Sequence, residues 1–160
     1  RVFVIYPTPN SGLNTSISVG NQPLGIVASP DGNWVYVANR NSNSVSVIST
    51  AINAPIRNIT VGTSPEFVAL SPDGGTLYVT NYNNKSVSVI NTQTYQTSTI
   101  TVGNNPRGIT VSPDGSKIYV TNLGDNTVSV IDAINPTITA TVNVGQNPEG
   151  ISVTPDGKFV

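Results

Sequence analysis

Carboxylates are the first groups in this 160-residue chain that could do chemistry. Asp31, Asp73, Asp114 and Asp156 recur at intervals of 42, 41 and 42 residues, each inside a Pro-Asp-Gly triplet. Such a set could hold a metal ion or move protons. The triplet argues for something plainer. Pro presets φ at the first corner of a tight turn, Asp bonds its own backbone, and Gly accepts the left-handed conformation that closes a hairpin. These Asp residues are therefore read as turn chemistry, one per structural unit and far apart. Outside the turns only Glu66, Asp125, Asp132 and Glu149 are acidic, and no pair has a spacing that specifies glycosidase geometry. His, Cys and Met are absent. That removes imidazole and thiol catalysis, and zinc or iron–sulfur ligation by His or Cys, from the side chains of this chain. The sequence assigns no catalytic residue, no metal and no cofactor.

The spacing of the turns belongs to a repeat. Val-Gly recurs at 19, 61, 102 and 144, Tyr-Val-Ala/Thr-Asn at 36, 78 and 119, and Ser/Thr-Val-Ser-Val-Ile at 44, 86 and 127. One unit parses into strand-like runs. Residues 67–71 are a short apolar run suited to a buried innermost strand, residues 76–81 follow the turn, residues 86–90 alternate cleanly, and residues 97–102 close the unit. No segment has a helical period. Four antiparallel strands in 41 to 42 residues make one propeller blade. The fold class expected is all-β, a β-propeller of four-stranded antiparallel blades. Such a blade is apolar on both faces and cannot bury them alone, so identical turns recur because blades must stack on one another.

The alignment of the units sets an expected organisation. Residues 1–5 align with 44–48, and residues 159–160 with 34–35, so the chain reads as one propeller segment, 1–160. It divides into a partial blade at 1–18 carrying third and fourth strands, blades at 19–60, 61–101 and 102–143, and a partial blade at 144–160. Propellers commonly close with about six to eight blades. The expectation is a fragment of a larger ring, or copies that associate to complete one.

Composition bounds the partners. The chain is 37% hydrophobic and only 9% charged, with net charge −1, so it lacks the Lys and Arg excess that nucleic acid requires. No apolar run approaches the roughly 20 residues of a membrane span. Function is sought where the copies differ. The loop after the fourth strand and the loop after the second share a face, and there the repeat is broken. After the loop Pro the copies read Leu24, Glu66, Arg107 and Glu149, and after the motif Asn they read Arg40, Tyr82 and Leu123. Positions that vary inside a repeated scaffold are released from its packing requirement. Arg40, Tyr82, Glu66, Arg107 and Glu149 are therefore the candidate binding residues, against the competing reading of solvated loop side chains with Arg107 loosely paired to its acidic neighbours. The motif residues Asn39, Asn81 and Asn122 are expected to cap strand ends or bond the following loop. Tyr36, Tyr78 and Tyr119 are expected to pack between blades, and Trp34 to take a core or edge role rather than stack on a sugar. N-glycosylation patterns stand at Asn14, Asn58 and Asn84. A chain rich in Asn, Thr and Ser and without Cys suits the microbial envelope, which places it outside the cell or on its surface.

The motif that stands here as Tyr78-Val79-Thr80-Asn81 and Tyr119-Val120-Thr121-Asn122 resembles that of the YVTN β-propeller repeat family. The first copy departs from it as Tyr36-Val37-Ala38-Asn39, and the resemblance, which includes Gly103-Asn104-Asn105-Pro106-Arg107-Gly108-Ile109, covers essentially the whole chain. It implies kinship with archaeal and bacterial surface-layer and secreted proteins, and the repeats are also similar to the propellers of lactonases and some quinone-linked enzymes. Two expectations follow. One is a non-catalytic, exported or cell-surface scaffold whose variable loop face mediates protein–protein interaction or surface-layer assembly, with other proteins or copies of itself as partners. The alternative is part of an enzymatic propeller, such as a lactonase-like hydrolase or a quinone-linked enzyme.

Overall fold

The structure, a computed structural model, describes residues 1–4 and 15–160. Its strands follow the turn chemistry. The first complete sheet runs β3 (Pro23–Ala28), β4 (Trp34–Asn39), β5 (Ser44–Ser49) and β6 (Ala54–Thr60). The second runs β7 (Pro65–Leu70), β8 (Thr76–Asn81), β9 (Ser86–Asn91) and β10 (Thr97–Thr101), and the third β11 (Pro106–Val111), β12 (Lys117–Asn122), β13 (Thr127–Asp132) and β14 (Thr137–Asn143). Each is an antiparallel meander with strands in chain order, and a two-stranded sheet of β1 (Val2–Val4) and β2 (Thr15–Ile17) precedes them. Short 3₁₀ turns, Arg40–Ser42 and Tyr82–Asn84, link second to third strands.

Each first hairpin is closed by the Pro-Asp-Gly turn in the way its residue types require. Gly32, Gly74 and Gly115 have φ of +73°, and Gly157 has +71°. The Asp accepts from the hydroxyl that opens the turn and from the backbone N–H two residues on, as Asp73 does from Ser71 Oγ at 2.5 Å and Gly75 N at 2.9 Å. The same hydroxyl accepts from the next strand, Thr76 N to Ser71 Oγ at 2.9 Å. Equal register follows, with Tyr36 opposite Val47, Tyr78 opposite Val89 and Tyr119 opposite Val130.

The hydrophobic core lies between blades. Tyr36, Val45 and Val47 of the first blade pack with Leu77, Val79 and Ile90 of the second. One blade on, Tyr78 and Val87 pack with Ile118, Val120 and Ile131. The innermost strands β3, β7 and β11 touch their neighbours in turn, while the outermost strand β14 is exposed along its length. Sheets that meet at their first strands and splay at their fourth are propeller blades.

The expectation of a buried innermost strand is corrected: Ile26 is 55% and Phe67 39% exposed. The innermost strand turns these side chains to open clefts, Ile26 to an apolar one shared with Val2, Ile17 and Ile48, and Phe67 to one on the loop face. Its attachment to the next blade is polar instead. Thr80 Oγ1 accepts from Phe67 N at 3.1 Å and donates to Arg107 O, one blade on, at 2.8 Å. Thr121 does the same with Gly108 N at 2.8 Å and Glu149 O at 3.0 Å. Ala38 holds this register position in the first blade, so its seam lacks the hydroxyl bridge.

Candidate functional site

The loop face is built from two kinds of segment that hold one another. Backbone bonds zip the loop before each first strand to the loop after each second strand: Arg40 N to Gln22 O at 2.9 Å, Tyr82 N to Ser64 O at 3.0 Å and Leu123 N to Asn105 O at 3.1 Å. Beneath them lies the motif Asn. Asn81 is fully buried and its Nδ2 donates to Ser86 Oγ at 3.0 Å and Ser88 Oγ at 2.9 Å, with Asn39 and Asn122 repeating the pattern. These amides therefore tie the second strand to the third and do not face a ligand. The Gly of each Val-Gly pair rests on that amide, since a Cβ on Gly62 would stand 2.6 Å from Asn81 Cγ.

On this platform the variable residues meet. Glu66, at the head of the second blade's inner strand, has a side chain only 7% exposed. Arg40 Nε of the first blade lies 3.1 Å from its Oε1, and Arg107 Nε of the third lies 3.4 Å from its Oε2. These approaches are charge pairing without hydrogen-bond alignment. Arg107 Nη1 also contacts Glu149 Oε1, and the Arg40 guanidinium sits over the Tyr82 ring, 5.7 Å from its centroid. Arg40 and Arg107 keep about a third of their side-chain surface, 31% and 32%, while Glu149 keeps 61%. One buried carboxylate thus serves two guanidiniums, and an exposed carboxylate covers the second.

A cleft of about 460 Å³ opens over this group, lined by Arg40, Glu66, Tyr82 and Arg107 with Gln22, Leu24 and Phe67. The structure brings all the candidate binding residues into one connected network, with Glu149 at its rim rather than in the cleft lining. Gln22 and Phe67 were not singled out from sequence. Gln22 carried a signal, because its repeat position reads Gln, Ser, Asn and Asn, in each case with positive φ. Chemically, the cleft can present guanidinium donors and a phenol to an anionic or hydroxylated group.

The other singled-out residues lie elsewhere. The turn carboxylates close the opposite end of the hairpins, where neighbours share a cleft rather than standing far apart, Asp31 with Asp73 and Asp114 with Asp156; hydrogen bonds from the turn's own hydroxyl and backbone hold Asp31, Asp73 and Asp156 below the usual carboxylate range and Asp114 at about 2. Burial pushes the Tyr36 and Tyr78 phenols up. No group of three or more His, Cys, Asp or Glu side chains is placed to hold a metal among the described residues. Asn58 and Asn84 are exposed, and Asn58 Oδ1 accepts from Ser46 Oγ at 2.8 Å. Asn14 lies outside the described residues.

Radial four-stranded blades with a polar cleft at the loop face define a β-propeller. The family model described as lactonase, seven-bladed β-propeller matches residues 7–94. The chain belongs to this family. No curated protein matches it. Among solved structures it is similar to hydrazine synthase of Kuenenia stuttgartiensis, with 32% identity and a TM-score of 0.84 over 92% of this chain and 43% of that one. A protein described as a putative 6-phosphogluconolactonase from Bacteroides uniformis is 20% identical, with a TM-score of 0.72 over 85% of this chain and 45% of that one. A catalytically inactive virginiamycin B lyase from Staphylococcus aureus, solved with quinupristin, is 19% identical, with a TM-score of 0.69 over 91% and 47%. The latter two likenesses concern the fold alone. The chain spans less than half the length of these structures. No helix among the described residues is long and apolar enough to cross a membrane.

Proposed function

We propose that this propeller is an exported, non-catalytic binding scaffold that takes a partner protein, or another copy of itself, on the loop face around the Arg40–Glu66–Arg107 cleft. One observation carries the reading: the residues that break the repeat converge. Five side chains from four successive units form one network, although the blade's own packing needs none of them. Two guanidiniums drawn by charge to a single buried carboxylate are kept at the cleft, and each retains donors for recognition. The resemblance of the repeats to YVTN propellers and the composition poor in charge and free of Cys are the grounds for reading it as exported.

The test is association of the full-length protein, measured by sedimentation and by binding to envelope fractions of the source cells. R40A/R107A should abolish it and rising salt should weaken it. Unchanged association in that variant overturns the reading.

The family match favours a second reading, hydrolysis of a lactone, with Arg40 and Arg107 polarising the carbonyl and Glu66 as the base. Turnover of lactone substrates by the full-length protein, lost in E66Q, would establish it in place of the first.

A further inference from the structure

We propose that a second cleft, on the opposite face between the first two complete blades, binds a saccharide, with Trp34 as its stacking platform. This cleft measures about 280 Å³ and is bounded by Asp31, Trp34 and Tyr36 of one blade and Asp73, Thr92 and Gln93 of the next. Its size falls near the lower end of ligand clefts, about 300 Å³.

The fold does not require Trp34. Strand pairing sets it opposite Ser49, as Thr76 is set opposite Asn91 and Lys117 opposite Asp132. Its register mates are thus Thr76 and Lys117, both polar and at least partly exposed, so neither blade needs an aromatic ring there. Tyr36, two residues on, is repeated in every blade and buried, which marks it as structural. Trp34 is only partly buried against the core between the blades and keeps surface on the cleft wall. An aromatic ring where sister copies carry a hydroxyl and an ammonium thus offers the cleft an apolar surface that the other blades lack.

The polar groups specify what that is. Both oxygens of Asp31 accept from Asn33, Oδ1 from the backbone N–H at 3.0 Å and Oδ2 from Nδ2 at 2.8 Å. Asp73 spends Oδ1 on its own turn, and its Oδ2 takes no hydrogen bond among the described residues. Gln93 adds an amide that can donate and accept. Two carboxylates repel an anion, whereas a carboxylate oxygen takes a strong hydrogen bond from a hydroxyl. An apolar platform beside carboxylate and amide partners suits a neutral ring with one apolar face and several hydroxyls, which is a pyranose. The corresponding cleft at the third blade retains Asp114 and Asp156 but has Lys117 where Trp34 stands, so it offers no platform.

The chain contains a single Trp, so fluorescence reports this cleft directly. The full-length protein is titrated with glucose, mannose and N-acetylglucosamine, with tetramethylammonium as a separate arm, and any Trp elsewhere is subtracted with the W34T protein. At least one hexose should give a saturable change, while tetramethylammonium should not. W34T installs the residue the second blade already carries, and its urea midpoint is compared with the parent's because Trp34 also packs on the core between the blades. By saturation-transfer NMR it should bind that sugar about tenfold more weakly or worse, a difference of about 1.4 kcal/mol. Q93A keeps the Trp and should weaken the fluorescence titration severalfold. The proposal is overturned if no hexose gives a saturable change, if W34T and Q93A bind as tightly as the parent, or if tetramethylammonium binds in place of the sugars.

Discussion

Glu66→Ala is the substitution that tests whether the network is held as described. Its side chain is 7% exposed, with guanidinium nitrogens at 3.1 and 3.4 Å. Removing one partner of a fully buried pair costs about 3–5 kcal/mol, because the remaining charge is stranded. Here the stranded charges, Arg40 and Arg107, keep 31% and 32% of their surface, so water recovers part of the loss. The expected destabilisation is about 2 kcal/mol, below the range for full burial. Glu149→Ala is the internal control. That carboxylate is 61% exposed, and an exposed pair is worth about 0–1 kcal/mol. Urea unfolding of the full-length protein at neutral pH reads both, with the slope checked for constancy. Raising the salt should erase the Glu149 effect and leave most of the Glu66 effect. If the two variants fall within about 0.5 kcal/mol of each other, the buried carboxylate is not an anchor and the account of the cleft is wrong.

Three further expectations follow from the same structure. Ala38→Thr should supply the first blade with the hydroxyl that Thr80 and Thr121 use to reach the next inner strand. A gain of about 1 kcal/mol, read as a higher urea midpoint, is expected, and no gain would refute the bridging role of those hydroxyls. Gly62→Ala would set a Cβ 2.6 Å from Asn81 Cγ. It should destabilise by about 1–3 kcal/mol through overpacking, measured by thermal or urea unfolding. Acid should unfold the protein in part through the turns. Asp114 titrates at about 2 when folded, below its unfolded value near 3.9, so its contribution is complete above about pH 4 and is lost as the pH falls towards 2. Asp31, Asp73 and Asp156 act in the same direction. Urea midpoints measured from about pH 5 down to 2 should fall less steeply in Asp114→Asn than in the parent.

The blade was legible because its signals are local. Pro72-Asp73-Gly74 closes a turn with atoms from its own few residues, and the alternation of Ser86-Val87-Ser88-Val89-Ile90 needs only one packed face. Variation among copies likewise pointed to Arg40, Glu66 and Arg107 without any coordinates. The burial of Glu66 was not legible. It depends on guanidiniums from the blades on either side, contacts that span 26 and 41 residues and that no window of sequence contains. The exposure of Ile26 and Phe67 was missed for a related reason. An apolar run says that a strand is apolar, while its cover is decided by how the sheets converge. The core or edge role read for Trp34 agrees with its partial burial against the core between the blades, while its register mates, Thr76 and Lys117, emerge only from pairing across the hairpin.

The succession Glu66, Arg107, Glu149 also bears on blade order. Nearly identical repeats are prone to dock out of turn while they fold, since any blade offers every other the same apolar face. Charges that alternate at one repeat position make the seams distinguishable. From the second complete blade on, a blade meeting its true successor sets Glu against Arg, whereas skipping one would set Glu66 against Glu149 and leave Arg107 without either. The discrimination is small beside the energy of stacking, but it acts on the difference between correct and incorrect arrangements, where uniform packing contributes nothing.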